Sequence, residues 1–355
     1  MAVSSNRAIG AGNLKRVVLL APPNCTGRSG IIGDTILQSS LVRTLLDRSL
    51  FPRLEKVYWW GAKWIVDEIF PYFKPHVETY EWDGTVAKLP NIAQITKTSE
   101  IDAALICTQN DEVIASVKGL SGIPCFAPVK PLNAQSSDHL CRQLHSCLDD
   151  LGLHVADLPS PRIVVDQDEL NDVRDQMTQE KLAKLSSERV FGEQDFDPST
   201  DKVFLIIPAV GVVEDRRTWT RDEWKKLVHI LAEVGMVAVL YNPEDESQRR
   251  AAGDMVSGEP SAKPRFAIGL RLHELAIWAC VSTVSIVRDS GPLHVVAASV
   301  GPEGRPRVLG LFSIMRPSTW KPLSDNLYTI GQWPLPLSQA VTPNEVAVRA
   351  ANIED

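Results

Sequence analysis

The stretch Thr283-Val284-Ser285-Ile286-Val287-Arg288-Asp289-Ser290-Gly291-Pro292-Leu293-His294-Val295-Val296-Ala297-Ala298 is an apolar run, a short polar turn and a second apolar run with proline near its start. The first run, Thr283–Val287, reads as a buried strand. Pro292 suits the first turn of a helix, where a missing N–H costs nothing, so a helix is expected over Pro292–Val300. A strand leading through a turn into a helix is the repeating unit of a parallel α/β sheet, and the turn then lies at the strand's carboxyl end, where ligand clefts open. The N–H groups of Ser290, Gly291 and Leu293 can converge there on an anion, which makes the segment a diphosphate cradle; a capped helix start with no ligand is the plainer alternative. His294, taken by itself, suits packing or capping.

The same pattern extends in both directions. Strands are expected at Lys202–Ile207, Met236–Tyr241 and Arg307–Phe312, with helices at Arg221–Val234, from Glu244, and at Leu272–Cys280. Further upstream, Arg16–Ala21 is an apolar run stopped by Pro22-Pro23 and a loop carrying Gly27, Gly30 and Gly33. After it, Ile36, Leu37, Leu41, Val42, Leu45 and Leu46 recur at helical spacing. Lys56–Trp60 and Ile101–Cys107 read as strands, Ala62–Phe70 and Asp138–Leu151 as helices, Pro161–Val165 as a last strand, and the polar Asp168–Arg189 as a connecting helix. The expected layout is a first Rossmann-like domain over 1–165, a connecting segment over 166–200, a second Rossmann-like domain over 201–330, and a tail over 331–355. Within the tail, a helix at Pro343–Ile353 is expected to pack back on the first half. Two successive doubly wound units imply two Rossmann-like domains facing across a cleft.

Composition narrows the function. A chain of 355 residues with 44% hydrophobic and 23% charged residues is ordinary globular protein, long enough for two cores. No apolar stretch approaches the roughly 18–20 residues of a membrane span. The first residues lack the apolar core of a secretory signal, so a cytoplasmic location is expected. The cysteines at 25, 107, 125, 141, 147 and 280 form no Cys-x-x-Cys pair and read as free thiols rather than a disulfide framework or zinc site. A net charge of −7 argues against broad nucleic-acid binding.

The loop Gly27-Arg28-Ser29-Gly30-Ile31-Ile32-Gly33 has neither dinucleotide nor P-loop spacing. Asp34 follows it at the mouth of a helix. It can cap that helix, and the helix N-terminus also favours its ionised form, ready to take a proton from an attacking hydroxyl. A third cluster, Glu214-Asp215-Arg216-Arg217-Thr218-Trp219-Thr220-Arg221-Asp222-Glu223-Trp224, supplies cations before a helix. Arg217 suits a diphosphate leaving group, Trp219 and Trp224 suit anchoring, and plain solvated surface is the alternative. The pairs Asp166-Gln167-Asp168 and Asp195-Phe196-Asp197 have the form of a metal-holding Asp-x-Asp, but both fall in the connecting region, where capping or surface roles are expected.

The order of these motifs resembles the ADP-heptose:lipopolysaccharide heptosyltransferases, glycosyltransferase family nine. That resemblance rests on Gly33-Asp34-Thr35-Ile36-Leu37, Arg217-Thr218-Trp219, Asp289-Ser290-Gly291-Pro292-Leu293-His294, Leu309-Gly310-Leu311-Phe312 and Trp320-Lys321-Pro322. It spans most of 16–325 and is weakest between about 75 and 200. It implies an inverting, metal-independent enzyme of GT-B type, with no cofactor, moving a heptose from ADP-heptose to a glycan or glycolipid acceptor such as lipopolysaccharide core. By the same resemblance Asp34 is the general base, and Arg217, Glu246, Asp289, Ser290, Gly291 and His294 hold the donor. Gly30 and Gly33 belong to the acceptor-side loop. A cytoplasmic enzyme of this kind is compatible with peripheral contact at the inner face of the membrane. Two departures stand out: Arg217 replaces a frequent lysine, and Ser313-Ile314-Met315 stands where Gly-Pro-Thr usually follows Leu311-Phe312. A nucleotide-sugar epimerase and a non-catalytic sugar-nucleotide or glycan-binding protein are the alternatives on the same architecture.

Overall fold

The computed structural model describes residues 10–22, 31–88, 100–108, 110–121, 123–128, 138–177, 188–190, 197, 201–209 and 216–353. The chain divides into two compact units, Met1–Pro161 and Arg162–Asp355.

In the first unit the elements are β1 (Arg16–Leu20), α1 (Ile31–Leu45), β2 (Lys56–Gly61), α2 (Lys63–Ile69), β3 (Val77–Glu81), β4 (Ala103–Ile106), α3 (Asp111–Ser121), β5 (Cys125–Phe126) and α4 (Leu140–His145). The five strands are parallel in the order β3-β2-β1-β4-β5, so the winding reverses at β1. Val17 to Leu20 are completely buried, as a central strand covered on both faces must be. Asp102 secures the start of that strand, its carboxylate accepting from the N–H groups of Lys15 (2.6 Å) and Arg16 (2.8 Å). Helix α1 is buried nearly all round, and its polar residues find partners within the fold. The Ser40 hydroxyl donates to Pro159 O (2.6 Å) and Gln38 Nε2 to Pro22 O (2.9 Å). Thr44 Oγ1 lies 2.8 Å from His145 Nε2, joining α1 to the end of α4.

The second unit contains β6 (Ile163–Val164), α5 (Gln167–Gln176), β7 (Glu188–Val190), β8 (Lys202–Ile207), α6 (Arg221–Leu231), β9 (Gly235–Tyr241), α7 (Glu246–Val256), β10 (Arg265–Gly269), α8 (Leu272–Val281), β11 (Val284–Arg288), α9 (Gly291–Ala298), β12 (Ser299–Val300), β13 (Val308–Leu311), α10 (Pro317–Trp320), β14 (Leu327–Ile330), α11 (Leu337–Ala340) and α12 (Pro343–Ala351). Seven strands lie in the order β14-β13-β11-β8-β9-β10-β7, all parallel except β7, which runs antiparallel to β10. Counted along the chain, the parallel strands follow the 3-2-1-4-5-6 order of a Rossmann-type sheet, with its switch point between β8 and β11. A hydrophobic core lies between one face of this sheet and helices α6, α7 and α12, with Phe204, Ile206, Trp219, Trp224, Ile286 and Leu309 among its members. Full burial of one such side chain is worth about 1.5–3 kcal/mol.

Three sequence expectations are corrected here. Ile163–Val164 does not end the first sheet but pairs with Ser299–Val300 in a separate two-stranded ladder. The connecting helix stops at Gln176, and Glu188–Val190 is an edge strand on β10; a run of polar residues hides that change because both states leave such side chains in water. The tail helix α12 packs on α6, with Val346, Ala347 and Ala350 in the core of the second unit rather than on the first half.

Candidate functional site

The switch point of the second sheet is where β11 hands over to α9. All five residues of β11 are buried. Asp289 prolongs its ladder by one step, its N–H donating to Leu311 O at 3.0 Å. Ser290 is fully extended (φ −163°, ψ 172°) and caps nothing forward. Instead its hydroxyl turns back to Arg288 O (3.1 Å). Pro292 has no N–H, and the Leu293 N–H closes the first turn onto Ser290 O at 3.0 Å, which removes Leu293 from the expected set of anion donors. The Ser290 and Gly291 N–H groups are not taken up by hydrogen bonds among the described residues. They stand at the positive end of α9, the arrangement that binds anions. Asp289 and His294 are both buried at this junction.

Arg217 and Glu246, which the sequence resemblance assigns to the donor, follow strands β8 and β9 of the same sheet. Arg217 is half-buried in the turn before α6. That turn is firmly held. Trp219 Nε1 donates to Val341 O (3.1 Å), Trp224 Nε1 to Thr218 Oγ1 (2.9 Å), and the two indoles meet edge-to-face with centroids 4.8 Å apart. Thr220 caps α6 in a reciprocal capping box with Glu223. Glu246 is the first residue of α7, following β9, and pairs with Arg249 (3.0 Å) and Arg250 (3.2 Å). It lines a groove of about 890 Å³ shared with Arg221, Ser247 and Asp254.

Asp34 occupies the corresponding point of the first unit, in the helix that follows β1 at its switch point. Among the described residues the helix runs from Ile31, so Asp34 lies in its first turn, and it is only 1% exposed. Gly33 is the helical residue before it, while Gly30 lies outside the described residues. Asp166 caps α5, accepting from Glu169 N at 2.9 Å; Asp195 and Phe196 lie outside the described residues. Among the described residues no three His, Cys, Asp or Glu side chains gather as a metal-ligand group, and no helix is long and apolar enough to cross a membrane.

At the second switch point Arg288 stands out in the structure and not in the sequence. Arg288 ends β11, is 8% exposed, and donates from Nη2 to Ala209 O at 2.6 Å. An arginine ending an apolar strand was the available signal. Ser313, two residues past β13, is wholly buried, and its hydroxyl has no hydrogen-bond partner among the described residues.

Solved structures share the architecture. A glycosyl transferase of family 9 from Veillonella parvula DSM 2008 superposes with a TM-score of 0.69 at 14% identity, covering 97% of this chain and 98% of that one. The E. coli ADP-heptose lps heptosyltransferase II gives 0.67 at 17% identity over 96% and 98%. E. coli heptosyltransferase WaaC with ADP-2-deoxy-2-fluoro heptose gives 0.59 at 14% identity over 94% and 98%. At such identities the likeness establishes the fold, which is of GT-B type with two Rossmann-like units. No curated protein matches the sequence significantly. The family model for glycosyltransferase family 9 (heptosyltransferase) matches residues 142–345, more than half of the chain, and the chain therefore belongs to that family of glycosyltransferases.

Proposed function

We propose that the chain is an inverting, metal-independent heptosyltransferase that moves a heptose from ADP-heptose to a hydroxyl of a glycan acceptor such as lipopolysaccharide core. The observation carrying this reading is the junction at Ser290-Gly291, where two N–H groups open at the positive end of α9 on the sheet's switch point. A diphosphate is the part of a nucleotide sugar that such a site suits. In the reaction the acceptor oxygen gives its proton to the Asp34 carboxylate as it bonds to the sugar's anomeric carbon. The bond from that carbon to the diphosphate oxygen breaks on the opposite face, and the nucleotide leaves with the electron pair. The open N–H groups and Arg217 stabilise the charge growing on the leaving group, which is the task a divalent ion would otherwise perform. Asp289, Glu246 and His294 complete the donor side in this reading, and the first unit receives the acceptor, with peripheral contact at the inner membrane face.

Family membership favours transfer over epimerisation. The test is a donor screen by mass spectrometry with purified protein and a lipopolysaccharide-core acceptor, comparing ADP-, GDP- and UDP-sugars with and without EDTA. Transfer from ADP-heptose that persists in chelator supports the proposal. Transfer from a GDP- or UDP-sugar alone, rescue of chelated enzyme by Mg²⁺, or donor turnover without acceptor contradicts it.

A further inference from the structure

Among the described residues one non-glycine residue has positive φ, and it stands at the switch point of the second sheet. Ala209, two residues past β8, has φ 44°. In that region the Cβ of an L-residue crowds the backbone, and alanine lacks the polar side chain with which Asn or Asp bonds locally in compensation. Such a conformation persists where surrounding groups over-determine it, and it is concentrated at ligand sites. The Arg288 guanidinium donates to the Ala209 carbonyl at 2.6 Å. Its bond is charge-assisted and short. Arg288 belongs to β11, the strand paired with β8, and immediately precedes Asp289. One buried side chain therefore ties together the carboxyl ends of the two strands between which the winding reverses.

We infer that Arg288 and Ala209 form a brace that fixes the β8 exit against the Asp289–Gly291 turn and so sets affinity for a nucleoside diphosphate. Arg288 is a positioning residue in this account, acting through the Ala209 backbone. The inference rests on the reading of Ser290-Gly291 as the donor's diphosphate site.

The test uses calorimetry on the full chain with ADP, GDP and UDP, following whichever binds tightest. Arg288→Met removes the donor group, and Ala209→Val places a β-branched side chain where φ 44° is least tolerated. Each is expected to weaken binding about tenfold, and the double variant no more than about tenfold, because both break one coupled contact. Arg288→Lys recovers part of the loss, and Ala209→Gly, which takes the turn without strain, loses less than Ala209→Val. Unchanged affinity in both single variants, or losses that multiply to about a hundredfold in the double variant, overturns the brace. Gly291→Val separates the two readings: if it weakens binding while the brace variants do not, only the brace fails. If it leaves affinity intact, or no nucleotide binds the wild type, the donor site fails with it.

Discussion

In the first unit the winding reverses at β1, and the following helix carries a buried carboxylate, Asp34, in its first turn. The second unit reverses at β8, and its switch point presents a buried arginine, a second arginine in the turn before α6, and two open N–H groups beside a buried aspartate. One winding thus carries opposite chemistry at equivalent places. A carboxylate suits removal of a proton and repels phosphate, whereas arginines and a helix N-terminus draw phosphate in. The comparison teaches that what each switch point can bind is set by the groups it presents and not by the winding, which the two sheets share.

The comparison can be broken at several points. The largest effect belongs to Asp34→Asn, which should lower transfer about 10²–10⁴-fold, the usual worth of a general base. Nucleotide affinity should stay within a few fold by calorimetry. A donor-affinity loss as large as the loss of rate would mean that the first unit is not reserved for the acceptor.

A second effect lies in the first unit's stability. His145 is buried, its Nδ1 2.7 Å from the Cys141 carbonyl, which can only accept; the proton is therefore on Nδ1, and Nε2 accepts from Thr44 Oγ1. Burial pushes its pKa down to about 4. A lowered histidine pKa means that the unfolded chain takes the proton first, so the stability held above about pH 6.5 drains away as pH falls toward about 4, by at most about 3 kcal/mol. Thermal melts between pH 7 and 4 should show that loss, and His145→Gln should flatten it. An equally steep profile in the variant would assign the acid sensitivity elsewhere.

Smaller again, Arg217→Ala should weaken nucleoside diphosphate binding about tenfold at low salt and less at high salt, because it removes a charge rather than a fit. A salt-independent loss would point instead to disturbance of the Trp219–Trp224 anchor. The smallest effect expected is that of Ser313→Ala. Removing a buried hydroxyl that lacks a partner should leave stability unchanged or raise it by about 1 kcal/mol in a denaturant titration. A clear loss would reveal a partner for that hydroxyl in solution.

Much of this architecture is legible in the sequence where burial is complete. Strands β1, β8 and β11 are near-continuous apolar runs because both their faces are covered, and the turn at Asp289-Ser290 stands out against them. Edge elements are not legible for the opposite reason. Strand β3 (Val77–Glu81) places Glu78 and Glu81 in solvent, and β5 is only two residues long. Strand β10 is paired on both sides and hidden for another reason: it opens on Arg265, whose fully buried guanidinium bonds Val256 O and Ser261 Oγ, both at 2.6 Å, and an arginine there reads as loop. The site divides in the same way. The strand–turn–helix at 284–298 was visible locally, whereas the Arg288–Ala209 contact spans 79 positions and emerges only from the pairing of β8 with β11.

The central claim is that Ser290-Gly291 holds a diphosphate, and calorimetric titration of ADP into wild type and Gly291→Val at matched, verified foldedness tests it most directly. A side chain at 291 adds bulk where phosphate must approach the backbone, so affinity should fall at least about tenfold, while Asp34→Asn binds like wild type. If Gly291→Val lowers thermal stability and leaves ADP affinity intact, the segment is a helix start and nothing more, and the account of the donor site is contradicted.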